Sequence, residues 1–182
     1  DQGFKVELRG RIKGVELLGR KVLNPVTGLE VPILPAWFVD PELGTGVVMS
    51  VPAHAPYDYV ALVELQNRVE LLAEYGLDVD MVRGLKPIPL IRTPGYSIIP
   101  AKDAVEARGI RSQVERDKLD DATRDVYSRE YYDGVLLENT GVWAGRVVSE
   151  VKDAIVEWLV SMGAAIKIYT LPQRVYCRCG SR

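Results

Sequence analysis

Cysteine is almost missing from this 182-residue chain: Cys177 and Cys179 are its only two, one residue apart near the C-terminal end. That pair cannot staple a core, so a disulfide scaffold is excluded and a reducing, cytoplasmic setting is expected. There is a single histidine, His54. One imidazole and two terminal thiols cannot complete a catalytic zinc site, so no metal is expected. No apolar run reaches the length of a membrane span, and the first residues lack a basic-then-apolar leader pattern. Basic excess is missing as well, with 23 Lys and Arg against 25 Asp and Glu and a net charge of −2. A protein gripping a long stretch of nucleic acid by itself needs a positive surface, so any nucleic acid here is held locally or by other parts of a larger assembly. With 47% hydrophobic and 26% charged residues, the chain has the composition of a folded domain.

The pattern along the chain predicts mixed α/β structure, with a curled, barrel-like sheet and helices packed around it. Phe4 to Leu8 alternates apolar and polar residues and predicts a strand. Arg20 to Leu23 leads into a turn at Asn24-Pro25-Val26-Thr27-Gly28. Leu29 to Val39 is rich in β-branched and aromatic residues, yet Pro32 and Pro35 remove two ladder donors and predict an edge or bulged strand. Val47 to Val51 reads as a short buried strand. A helix then opens at Ala55-Pro56 and runs to Gly76. Lys86 to Arg92 predicts another strand, closed by Thr93-Pro94-Gly95. Lys102 to Arg108 predicts a short helix stopped by Gly109.

Ser112 and Glu115 have capping-box spacing and open a helix to about Tyr131, whose many charges predict a solvated surface position. Val151, Ala154, Ile155, Trp158, Leu159 and Met162 recur at helical spacing, with Ser149 as cap, Gly163 as stop and the Trp158 face in the core. Ala165 to Tyr169 predicts a last strand.

The chemistry is concentrated in Gly44-Thr45-Gly46-Val47-Val48-Met49-Ser50-Val51-Pro52-Ala53-His54-Ala55-Pro56-Tyr57-Asp58. A strand that ends at a proline and passes directly into a helix brings free N–H groups and strand-end carbonyls into one space. Asp58 falls in the first helical turn, where the helix dipole favours an ionised carboxylate. Such a charge at a pocket mouth suits an ammonium group.

This stretch resembles the connective editing insert shared by leucyl-, isoleucyl- and valyl-tRNA synthetases. The wording Val51-Pro52-Ala53-His54-Ala55-Pro56 is similar to the archaeal leucyl branch; bacterial leucyl enzymes carry an aspartate where this chain has Ala55. The resemblance extends upstream through Gly19 to Gly28, Ile33-Leu34-Pro35-Ala36 and Phe38-Val39-Asp40. Downstream it includes Gly109 to Gln113, Val151 to Ile155, and Arg178 with Gly180.

The resemblance implies an editing-domain fold that hydrolyses the ester between a non-cognate amino acid (norvaline, isoleucine or methionine) and tRNA-Leu. It implies Asp58 as anchor of the substrate amino group and His54 as a position near the ribose or ester. Gly44, Thr45, Gly46, Val47, Met49, Ser50 and Val51 would form the substrate-binding floor. A positioned water would attack, assisted by a ribose hydroxyl. The partners implied are the tRNA-Leu 3′ end and the remainder of the synthetase chain, with no membrane. Residues 1–175 would be editing domain and 176–182 the start of the linker back to the catalytic body.

The family also carries a threonine-rich segment, about Thr-x-Arg-Pro-Glu-Thr, upstream of the matched region, and this chain has none; Thr93-Pro94 is no substitute. The chain is therefore expected to begin inside the domain, which opens a second reading, a binding or structural piece without turnover. The HIGH and KMSKS signatures are absent too, so ATP and Mg would belong to the parent enzyme and no cofactor to this domain. A third reading, an unrelated hydrolase, would pair His54 with Asp58.

Overall fold

The computed structural model describes residue 5 and residues 7–24, 26–41 and 45–168. Two helical clusters form its core, and a central helix, α1 (Pro56–Asn67), belongs to both. Proline at its first position costs no hydrogen bond, because that N–H would have no helical acceptor. Asn67 turns its side-chain N–H onto the Val63 carbonyl at 2.8 Å, and the helix breaks at Arg68. The helix expected to continue to Gly76 is therefore two, with α2 (Val69–Glu74) following. The break brings Leu71 and Leu72 against Leu65, Leu77 and Val82, the last from α3 (Val79–Gly84). Asp78 caps α3 by accepting the Met81 N–H at 2.9 Å.

The other cluster joins Val60 of α1 to α4 (Pro100–Ala107) and α5 (Arg116–Asp133). α4 ends as expected at Gly109, whose φ of +60° costs an L side chain energy. There the Gly109 N–H bonds the Glu106 carbonyl and the Ile110 N–H bonds the Val105 carbonyl, each at 3.1 Å. α5 begins later than the capping box predicts. The Glu115 carboxylate does reach back to the Ser112 N–H at 3.2 Å, but it closes a turn before the helix. Nor is α5 simply a surface helix: Leu119, Ala122, Val126 and Glu130 form a buried stripe at three- and four-residue spacing. Each large aliphatic side chain buried this way contributes about 1.5–3 kcal/mol.

The expected barrel-like sheet is corrected by the structure. The described residues form two antiparallel two-stranded sheets, neither closed. In the first, β1 (Lys21–Leu23) pairs with β2 (Glu30–Pro32), Val22 opposite Val31, around the turn ending at Gly28. Proline removes ladder donors here, and the paired segment of Leu29 to Val39 is correspondingly short. In the second, Lys86 to Arg92 contributes only β3 (Ile91–Arg92), which pairs with β4 (Val135–Leu136) just after α5.

Val47 to Val51 is not a buried strand: it pairs with no described strand and its side chains are exposed. Lys5, Glu7 and Leu8 form no ladder, and neither do residues 165–168; Phe4, Val6 and Tyr169 lie outside the described residues. α6 (Val148–Ser161) packs on α5, starting ahead of its predicted cap Ser149 and stopping at Gly163. Trp158 is half-buried rather than core, edge-on to Trp143 at 6.3 Å, and Val151 is the buried residue of this helix.

Candidate functional site

The motif stretch divides at Val51. Before it the chain is extended and solvent-facing: Val47, Val48 and Met49 are 52%, 56% and 59% exposed. Thr45 sets the entry, its hydroxyl donating to the Val47 carbonyl at 3.0 Å while accepting the Val47 N–H at 3.2 Å. Gly46 has φ +68°, and a Cβ there would press on Pro41 main-chain atoms from 3.2 Å, so glycine is needed for both reasons. Gly44 lies outside the described residues, as do Cys177, Arg178, Cys179 and Gly180.

After Val51 the chain is buried and knotted. The His54 and Ala55 N–H groups both donate to the Val51 carbonyl at 2.9 Å, and the Ala101 N–H at the start of α4 donates to the Ala53 carbonyl at 3.1 Å. The Val51 N–H in turn donates to Asp58 Oδ2 at 2.6 Å.

Asp58 is buried in the first turn of α1. Removal from water pushes its carboxyl above the usual carboxylate range, and hydrogen bonds from the Val51 main chain and the Ser50 side chain oppose that rise. Desolvation thus acts against the ionised form that the first-turn position favours. Among the described residues no basic side chain lies within ion-pair distance of Asp58. A cleft of about 260 Å³ lies elsewhere, lined by Trp37, Glu64, Arg68, Ser112, Gln113 and Val114.

No hydrogen bond joins His54 to Asp58. The His54 Nε2 accepts the Leu90 N–H at 2.8 Å, so the ring proton sits on Nδ1, which lies 2.6 Å from Glu130 Oε1. The same carboxylate oxygen accepts the Thr93 hydroxyl at 3.1 Å. His54, Glu130 and Thr93 are 4%, 6% and 2% exposed, which seals the cluster from water. Both imidazole nitrogens are therefore committed to protein partners. The phenol of Tyr127, one α5 turn before Glu130, is pushed upward by burial and by the negative charges of Asp58 and Glu130.

The sequence reading missed Glu130, assigning it to a solvated face. The signal was present: Glu130 continues the spacing of Leu119, Ala122 and Val126, so an acid falls on an apolar stripe. Thr93 and the Leu90 N–H carried no such mark. Among the described residues no three His, Cys, Asp or Glu side chains converge as metal ligands, and no helix is long and apolar enough to cross a membrane.

Known proteins place this geometry in a family. The family described as leucyl-tRNA synthetase, editing domain, matches residues 7–71. The leucine–tRNA ligase of Aeropyrum pernix is 58% identical over all 182 residues, and that of Methanocaldococcus jannaschii is 48% identical over 99% of the chain. The chain spans only 19% and 18% of those two proteins, about a fifth of their length.

Solved structures agree on the fold. The crystal structure of GlLeuRS-CP1 superposes with a TM-score of 0.76 at 29% identity, covering 88% of this chain and 61% of that one. The editing domain of P. knowlesi cytosolic leucyl-tRNA synthetase gives 0.75 at 18% identity, covering 84% and 50%. The chain belongs to the leucyl-tRNA synthetase family, within its editing domain and of the archaeal type.

Proposed function

We propose that this chain carries the amino-acid end of a proofreading site, at which tRNA-Leu misacylated with norvaline, isoleucine or methionine is hydrolysed. The observation that carries the reading is Asp58, a buried carboxylate without a cationic partner among the described residues, bonded to the Val51 N–H at the end of an exposed apolar stretch. An amino acid linked through its carboxyl group presents just two features, an ammonium group and a side chain. The first complements Asp58, and an apolar side chain complements Val47, Met49 and Val51. A bound ammonium would also offset the desolvation that raises the Asp58 carboxyl.

Thr45, Gly46 and Ser50 shape the main chain against which the ester lies, and Gly44 is assigned to the same floor. The attacking nucleophile is a positioned water, with a ribose hydroxyl handling the proton. Two sites in series are needed because a single pocket separates side chains differing by a methylene by only about 1–3 kcal/mol. The partners are the tRNA-Leu 3′ end and the remainder of the synthetase, whose synthetic site would use ATP and Mg, in the cytoplasm. Residues 1–175 are assigned to the editing domain and 176–182 to the start of the return linker.

One observation favours a second reading, binding without turnover. His54 has no free nitrogen to act as a base, so the described residues supply contacts more readily than proton transfer. The two readings share the anchor and differ in rate. Crystals soaked with a non-hydrolysable aminoacyl-adenosine should show the amino group against Asp58. The Asp58→Ala change should weaken that ligand about tenfold or more, the worth of a charge-assisted hydrogen bond. Density placing the amine elsewhere, or unchanged affinity, refutes both. Mischarged tRNA then separates them: ester hydrolysis that Asp58→Ala removes means turnover, and binding with no hydrolysis above the uncatalysed rate means binding alone.

A further inference from the structure

Asp58 can select an ammonium group only if its carboxylate is held in one orientation, and the contacts that hold it lead to α5. Val51 is the first link, since its N–H fixes Asp58 Oδ2 at 2.6 Å. The second is the turn from Val51 to Ala55, whose two hydrogen bonds at 2.9 Å converge on the Val51 carbonyl and make it move as a unit. The third is the His54 ring, the side chain by which that turn is moored. It is gripped at both nitrogens, by Glu130 at 2.6 Å and by the Leu90 N–H at 2.8 Å. Glu130 is steadied in turn by Thr93 at 3.1 Å and by a helix anchored in the core through Leu119, Ala122 and Val126.

We infer that Glu130, far from Asp58 in sequence, is a positioning residue for the amino-group anchor, acting through His54 and the Val51 main chain. Without it the imidazole loses its acceptor, the turn is held only by the Leu90 bond to His54 and the Ala101 bond to the Ala53 carbonyl, and the direction of the Val51 N–H is less tightly set. The inference rests on the reading of Asp58 as amino-group anchor. Glu130 acts through another residue rather than on substrate, because its carboxylate oxygen is taken up by His54 Nδ1 and the Thr93 hydroxyl.

The readout must be one that general loosening of the fold would not move, and preference for a free amine is such a readout. Calorimetry on this chain would compare a norvalyl-adenosine amide with its N-acetyl form, which lacks the positive charge. The unaltered chain should prefer the free amine, and Asp58→Asn should erase about tenfold of that preference. Glu130→Ala should lose about fivefold of it while the N-acetyl compound binds as before; Glu130→Gln, whose amide oxygen still accepts from Nδ1, should stay within about twofold. Thr93→Val, removing one donor, should fall between them.

Loss of preference in Asp58→Asn but not in Glu130→Ala overturns the role of Glu130 and leaves the anchor standing. No preference in the unaltered chain, or none lost in Asp58→Asn, overturns the anchor and this inference with it. If Glu130→Ala does not fold, Thr93→Val decides, and an unchanged preference in that variant overturns the inference.

Discussion

His54→Ala tests the buried cluster as a structural element, apart from any ligand. The imidazole makes two hydrogen bonds, one to a carboxylate at 2.6 Å and one from a main-chain N–H at 2.8 Å. A hydrogen bond to a charged group contributes about 1.5–3 kcal/mol, and a buried N–H left without a partner costs about 1–3 kcal/mol. Truncation removes the first and creates the second. It also leaves Glu130 with Thr93 as its remaining side-chain donor, in a site where unpaired buried charge is costly. These effects overlap, so a total of about 3–5 kcal/mol is expected, as for breaking a buried pair from one side. Against a stability of about 5–15 kcal/mol that is a large fraction, and it corresponds to a fall in Tm of about 10 °C.

Urea and thermal melts of the two proteins give the difference directly. His54→Asn refines it: an amide N–H can replace Nδ1 as donor to Glu130 while the Leu90 N–H stays unpaired, so its cost should be smaller, about 1–3 kcal/mol. A His54→Ala penalty below about 1 kcal/mol would refute the reasoning, because the cluster would then be unnecessary to the fold. A hydrolase built on a His54–Asp58 pair would instead lose activity toward simple esters without this loss of stability.

Glycine supplies a paired comparison. A Cβ on Gly134 would sit 2.3 Å from the Glu130 carbonyl oxygen and 2.7 Å from an Ile91 methyl group, so Gly134→Ala must push β3 from α5, at about 3 kcal/mol. A Cβ on Gly109 would meet nothing within 4 Å, and only its φ of +60° is unfavourable, so Gly109→Ala should cost about 1–2 kcal/mol. Urea melts that reverse this order would show the close approach at Gly134 to be easily relieved.

Asp125 predicts an acid-sensitive contact. Bonds from Tyr96 at 2.6 Å, Arg129 at 2.7 Å and Arg108 at 3.3 Å hold its carboxyl well below the usual range, at about 2. Because the folded value is depressed, the contribution is complete above the unfolded pKa near 3.9 and is lost as pH falls through about 2. Partial exposure limits it to about 1 kcal/mol. The stability gap between the unaltered protein and Asp125→Asn should therefore close between pH 5 and pH 2, and a constant gap would count against the network.

What could be read from the residues in order was local. Pro56 opens α1, Gly109 and Gly163 stop their helices, and the turn at Asn24 to Gly28 joins β1 to β2, because each depends on backbone preferences within a few residues. The motif from Gly44 to Asp58 was legible for the same reason, its residues being contiguous. The tertiary structure decided the partners. Val47 to Val51 has the composition of a buried strand, but burial depends on a neighbouring strand, and no described strand lies beside it. Asp58 has the position of an ionised first-turn acid, yet its surroundings withdraw it from water and push the carboxyl up. His54 and Glu130 stand 76 positions apart, on a turn and on a helix crowded with charge. Only packing α5 against α1 and the Leu90–Thr93 segment brings them within 2.6 Å, because hydrogen bonding acts at contact distance and separation along the chain does not measure it.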